Sequence, residues 1–251
     1  MLVDAIVLAG AKNDGKLHSE AAVDYEAAID IGGRVMVDYV LSALRECTDI
    51  GRIMMVGPAA LGEMITTAGV EMAEAGGSMI ENIRIGIDSL QPTRKVLLVT
   101  SDIPLITKVG IQDFLQRCEA VSADLYYPVV AREINERMYP GVHRTYVHVT
   151  EGVFTGGNMV LMEPAVVRQG HELIEKAIEM RKKPWKLAQL MGPYFLCKLL
   201  VNKLSIKEIE KRVSVVLGFR GIGVISPFPE VGIDVDKPSD LILARKALAP
   251  K

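Results

Sequence analysis

Two acidic stretches of this sequence carry residue types that hold metal ions. "VLLVTSDIPLIT", residues 96–107, runs five apolar or β-branched residues into Asp102, with Pro104 just beyond. "VGIDVDKPSDL", residues 231–241, sets Asp234 and Asp236 two apart, ahead of Pro238. Alternate residues of an extended segment share a face, so these two carboxylates point the same way. Carboxylates are hard oxygen ligands, and Mg2+ takes one or two of them together with substrate phosphates. The plainer alternatives are that Asp102 makes a turn or caps a helix, and that Asp236 or Ser239 is an N-cap with proline in the first helical turn.

Two further stretches suit a phosphate-bearing ligand. "LAGAKNDGK", residues 8–16, combines Gly10 and Gly15 with Lys12 and Lys16. Loop amides and lysines after a first strand can cradle phosphate. The loop is neither G-x-x-x-x-G-K-[ST] nor G-x-G-x-x-G, and a simple strand-to-helix connection is its alternative. In "TGGNMVL" the pair Gly156–Gly157 lets backbone approach a ligand closely, and Asn158 offers an amide to orient it. A bulge or turn is the alternative there.

Strands and helices must position these groups. Apolar runs and helical spacing predict strands at about 3–9, 53–57, 70–73, 96–100 and 125–131. Helices are expected at about 35–46, 60–68, 78–90 and 107–117. Ser78, with Glu81 three residues on, and Thr107 read as helix caps. Strand and helix alternate five times, and the strands are continuously apolar rather than alternating. Both features argue a mainly parallel sheet with helices on its two faces. Ligands of such sheets bind beyond the carboxyl ends of the strands, which is where Asp102 falls. Pro104 has no N–H and stops further ladder pairing.

After residue 140 the rhythm changes. A partly exposed strand is expected at about 142–150, and another over 153–162. A helical segment from 164 to about 212 contains the single tryptophan, Trp185. One or two strands and a final helix follow from 213. The expected organisation is one α/β domain over 1–251 with a Rossmann-like three-layer, mainly parallel sheet and a helical insertion at about 164–212. Packing on the core is the leading expectation for that insertion, with a membrane- or partner-facing surface as its alternative.

Composition limits the function. The chain has 251 residues, 49% hydrophobic and 24% charged, with a net charge of −2. Nothing in that balance marks a nucleic-acid or anionic-membrane binder. No run reaches the roughly 18 apolar residues of a membrane span. Three cysteines without ligand-like spacing fit a reduced, cytoplasmic setting. The four histidines form no HxH or HExxH pattern that would suggest zinc.

Taken in order, "IVLAGAK", "IDIGGRVMVDYVLSAL", "ENIRIGIDSL", "LLVTSDIPLIT", "FTGGNMVLM" and "GIDVDKPSDLILAR" resemble the nucleotidyltransferases of the molybdenum-cofactor guanylyltransferase (MobA-like) kind. The resemblance spans about residues 1–162 and 213–247. It implies a nucleotide-diphospho-sugar transferase fold and Mg2+-dependent attack of an acceptor oxygen on the α-phosphorus of an NTP, releasing pyrophosphate. By this likeness Asp102 and Asp236 hold the metal, and Asp234 lies behind them or replaces one. Leu8, Ala9, Gly10, Ala11 and Lys12 meet the nucleotide, Arg84 borders the base pocket, and Asn158 lies near the acceptor. Gly32 and Gly33 match the G-G step before the first helix.

The first loop departs from the family pattern L-A-G-G-x-x-x-R-[LM]-G. Ala11 stands at its second glycine, no arginine follows, and Glu26 lies close to the position of the family's lysine. Lys12, Lys16 or Arg34 are the cations available as substitutes, and Lys16 is taken as the catalytic one. The main reading is a nucleotidyltransferase acting on an NTP and a small phosphorylated or acidic acceptor. A glycosyltransferase using a nucleotide-sugar donor and a non-catalytic nucleotide-binding protein are the alternatives. "SDIPL" lacks the second aspartate of a D-x-D, against the former. The missing loop cations favour the latter.

Overall fold

The structure, a computed structural model, describes residues 1–168, 185 and 192–249. Its centre is a sheet of nine strands. β1 (Val3–Leu8), β2 (Ile50–Val56), β3 (Val70–Ala73) and β4 (Val96–Thr100) pair in parallel in the order β3-β2-β1-β4. β5 (Leu125–Ala131) and β9 (Gly221–Ser226) form a second parallel pair. β8 (Met159–Met162) lies antiparallel between β4 and β5 and joins the two halves. β7 (Gly152–Gly156) continues along the same edge of β5, with short β6 (Val147–Val149) outside it. The sheet is mainly parallel, as expected.

The inner strands β1, β2 and β4 are mostly apolar and buried because both faces of the sheet are covered. Packed on one face are α1 (Met36–Glu46) and α4 (Lys108–Glu119), which bury Val37, Val40, Leu41, Leu44, Ile111 and Phe114. On the other lies α3 (Met79–Leu90), which buries Ile80, Ile83, Ile87 and Leu90. Ser78 caps α3 by accepting from the Glu81 N–H, and Thr107 caps α4 by accepting from the Gly110 N–H. Each satisfies an amide that the first turn would otherwise leave unpaired.

A third apolar cluster does most to build the site. Leu17, Ile29, Ile31 and Met36, from the long first loop and the start of α1, pack on Val235, Leu241 and Ala244 near the carboxyl end of the chain. Leu17 and Val235 are almost fully buried. Their chain neighbours Lys16 and Asp234–Asp236 are thereby brought to one place.

Several elements differ from expectation. The helix expected at 60–68 shrinks to α2 (Leu61–Met64). Thr66 and Thr67 turn their hydroxyls to Asp38 instead, at 2.5 and 2.6 Å, and Gly69 adopts φ +73°. The strand expected at 142–150 is only β6, which leaves 143–146 irregular. The strand expected over 153–162 is broken between Gly156 and Met159. An unforeseen α5 (Arg132–Met138) follows β5.

The helical segment is described at Pro193–Leu200 and Ile206–Leu217, separated by a turn in which Asn202 has φ +53°. The second helix starts with a capping box of Ser205 and Glu208 and stops at Gly218, φ +74°. Residues 213–217, expected as strand, therefore finish this helix. Of the remaining expected insertion, 164–168 is helical, and 169–184 and 186–191 lie outside the described residues. The chain ends on the helix Pro238–Leu248.

Candidate active site

Asp102 sits two residues beyond β4. The Ser101 N–H donates to the Leu8 carbonyl at 3.2 Å, and Ile103 is fully buried, so the turn between them is fixed from both sides. The Asp102 carboxylate accepts from the Thr100 hydroxyl at 2.5 Å. Its backbone carbonyl accepts from the Val235 N–H at 2.8 Å. That bond lays the late acidic segment across the end of β4. With Val235 buried beneath, Asp234 and Asp236 turn to the opposite side.

One ligand atom from each of Asp102, Asp234 and Asp236 lies within 4.8 Å of the others. Asp102 is half-buried, Asp234 buried and Asp236 exposed. These are hard oxygen donors without thiolate or imidazole among them, the donor set suited to Mg2+ or Ca2+. Asp236 is not the cap of the last helix. Its N–H donates to Asp240 Oδ2 at 3.3 Å, and Lys237 occupies the N-cap position.

The break at Gly156-Gly157-Asn158 fits against this cluster. The Gly157 N–H donates to the Pro128 carbonyl at 2.9 Å, the Asn158 N–H to Val231 at 2.8 Å, and the Thr100 N–H to Asn158 at 3.1 Å. Three segments are thus tied at one point. A Cβ on Gly157 would stand 2.8 Å from Pro128 Cγ and 2.9 Å from the Val231 carbonyl oxygen, so only glycine fits. The Tyr127 hydroxyl donates to the Gly157 carbonyl at 3.0 Å. Asn158 is buried, and its Nδ2 has no partner. A buried donor left unpaired costs free energy, which a ligand acceptor would recover.

A cleft of about 490 Å3 opens here, lined among others by Lys16, Glu26, Arg144, Asn158, Asp234 and Asp236. Lys16 therefore joins the carboxylates and Asn158. Lys12 does not: it borders a separate cleft with Asn13, His18 and Tyr25. Arg84 is exposed on α3. Leu8 and Ala9 are buried and Ala11 is exposed. Gly10 packs so closely that a Cβ would meet Asn82 Nδ2 and Ala75 Cβ at 2.8 Å. Gly32 and Gly33 form a left-handed turn, φ +66° and +86°, where the Gly33 N–H donates to Asp30 Oδ1 at 3.1 Å.

Arg34 is engaged elsewhere. Its Nε donates to Asp38 at 2.7 Å, its Nη2 to the Asp38 carbonyl at 2.7 Å, and its guanidinium lies 4.7 Å from the centre of the Tyr39 ring. Asp38 is fully buried. Burial alone would raise its pKa, but Arg34, Thr66 and Thr67 together hold its carboxyl well below the usual range.

Two residues of the site escape sequence reasoning. Asn82 is buried in α3 and accepts from the Gly76 N–H at 2.7 Å, holding the loop beside Gly10. A lone amide on an otherwise apolar helix face is its only signal. Arg144 reaches from the irregular segment before β6, where its Nη1 donates to Asp234 and its Nη2 to the Gly156 carbonyl at 3.3 Å. The sequence pattern places it in a partly exposed strand, which gives no reason to send it inward.

Residues 5–184 match the model of the MobA-like NTP transferase domain. The chain belongs to this family. The match includes Asp102 and Asn158 and stops before Asp234 and Asp236. A solved hypothetical transferase from Thermus thermophilus is 34% identical, covering 96% of this chain and 100% of its own, with a TM-score of 0.84. A CMP:2-keto-3-deoxy-manno-octonic acid synthetase solved with CTP shares the fold at 11% identity, 99% coverage of both chains and a TM-score of 0.63. A 2-C-methyl-D-erythritol 4-phosphate cytidylyltransferase, also from Thermus thermophilus, does so at 15% identity, 98% coverage of both and a TM-score of 0.57. No curated protein matches the chain. Membership places the chain among nucleotidyltransferases in general. No helix among the described residues is long and apolar enough to cross a membrane.

Proposed function

We propose that this chain, acting as one domain, is a Mg2+-dependent nucleotidyltransferase. It transfers an NMP from an NTP to a small phosphorylated or acidic acceptor and releases pyrophosphate. The observation that carries the reading is the convergence of Asp102, Asp234 and Asp236 at the end of β4. Their donor set fits a hard divalent cation, with Asp102 and Asp236 as its holders and Asp234 within reach. A bound Mg2+ would neutralise charge on the phosphate oxygens and on the departing pyrophosphate.

The chain's own part is positioning and electrostatics. Lys16, held over the cleft by buried Leu17, supplies positive charge to the triphosphate. The unpartnered Nδ2 of Asn158 donates to an oxygen of the acceptor. The backbone after β1, kept narrow by Gly10 against Asn82, gives the nucleotide a close approach. No protein nucleophile is required.

Glu26 favours a second reading, nucleotide binding without turnover, because it brings a carboxylate to the cleft near the position of the family's lysine. One experiment separates the two. Thermal unfolding is followed with ATP, GTP, CTP and UTP, each with and without Mg2+, and pyrophosphate release is then assayed with the stabilising NTP. A ligand at 100 times its Kd adds about 2.7 kcal/mol to stability. A Mg2+-dependent shift with pyrophosphate release over a panel of sugar phosphates and other small acids supports transfer. A shift without release over that panel supports binding alone, and no shift with any NTP removes both.

A further inference from the structure

Three carboxylates within 4.8 Å of one another repel strongly unless positive charge stands beside them. Arg144 supplies some of that charge. It pairs with Asp234, and both side chains are about nine-tenths buried, at 11% and 10% exposure. Its bonding is nevertheless incomplete. The Nη2 contact to the Gly156 carbonyl is long at 3.3 Å, and Nε is buried without a partner. A guanidinium has five donors in a rigid fork shaped for a carboxylate or phosphate. An arginine with only a structural role would be expected to use them more fully.

Arg144 also borders the cleft that holds Lys16, Asn158 and Lys237. Its segment is irregular, between α5 and β6, with Gly141 at φ +88°. The Asp234 carboxylate pairs with the guanidinium and would also lie within reach of a metal ion held by Asp102 and Asp236.

We infer that Arg144 is a displaceable counter-cation: it competes with the divalent cation for Asp234, and when the cation takes Asp234 it presents its guanidinium to an anionic group of the substrate. The inference rests on the metal site of the proposed function and adds a linkage between metal and anion. Such linkage is reciprocal, so whatever frees Arg144 from Asp234 raises its affinity for the anion.

The test is calorimetric titration of the full chain with Mn2+ in the absence of nucleotide, for wild type, Arg144→Met and Arg144→Lys. Loss of a competing charge tightens Mn2+ binding, by at least about fivefold for a coupling of ordinary size, whereas Arg144→Lys stays near wild type. Inorganic phosphate, titrated with Mn2+ present, binds about tenfold more weakly to Arg144→Met, as loss of a charge-assisted bond predicts. If Arg144 only orients Asp234, Arg144→Met binds Mn2+ equally or more weakly, and the inference is overturned. Should Arg144→Met not fold, Arg144→Gln removes the charge, retains a donor, and carries the same expectation. Wild type that binds no Mn2+ overturns both this inference and the metal-dependent function. Wild type that binds Mn2+ without tightening in the neutral variants overturns this inference alone.

Discussion

The Val235 N–H donates to the Asp102 carbonyl at 2.8 Å, across 133 positions of sequence (235 − 102). This one backbone bond unites the two acidic stretches. Val235 is buried among Leu17, Met36 and Leu241, and its extended neighbours Asp234 and Asp236 must then face away from that cluster, toward Asp102.

Asp102→Asn keeps the shape of the side chain and removes its charge. We expect metal-dependent turnover to fall by at least about a hundredfold, with the circular dichroism spectrum unchanged. Steady-state pyrophosphate release measures it, and a variant within a fewfold of wild type would remove Asp102 from the site.

Lys16→Ala should raise the KM for NTP roughly tenfold, the value of one charge-assisted hydrogen bond. Lys12→Ala, whose residue borders a different cleft, should leave it unchanged. Equal effects of the two would mean that the first loop does not sit over its substrate as described.

Gly157→Ala forces a Cβ against Pro128 and the Val231 carbonyl, neither of which can move away freely. The cost expected is about 1–3 kcal/mol, typical of overpacking. Urea denaturation reads it directly. A midpoint equal to wild type would show that the three-way junction gives more than its contacts suggest.

Asp38 makes stability sensitive to acid. Its folded pKa is depressed below the unfolded value, so its stabilisation is fully present above the ordinary carboxylate range and declines as pH falls below it. Asp38→Asn should cost about 1–3 kcal/mol at neutral pH by removing the carboxylate that pairs with Arg34 and accepts from Thr66 and Thr67. It should also flatten the loss of stability between about pH 5 and pH 2. Denaturation curves at several pH values test both.

The three cysteines should differ in reactivity. Burial pushes the Cys118 thiol up to about 12 and raises that of buried Cys47 as well, while Cys197 is exposed. Thiolate is the reactive form. Titration of the native protein with a thiol reagent should label Cys197 quickly and the other two only on unfolding.

Much of this was legible in the sequence. The continuous apolar strands, the 3.6-residue spacing of α1 and α3, and the caps at Ser78 and Thr107 are local signals, so local physics suffices to read them. Asp102 could be placed because a parallel sheet exposes the carboxyl ends of its strands, and Asp234 with Asp236 because extended backbone alternates. Tertiary structure decided the rest. Which lysine of the first loop enters the cleft depends on where buried Leu17 anchors that loop against the last helix. That the strand over 153–162 breaks at Gly157 depends on Pro128 and Val231, residues distant in sequence. Arg34 was removed from the site by Asp38, and Arg144 was brought into it by Asp234, 90 positions away. Ion pairs of this kind leave no period in the sequence. They form only when packing delivers two charges to the same place.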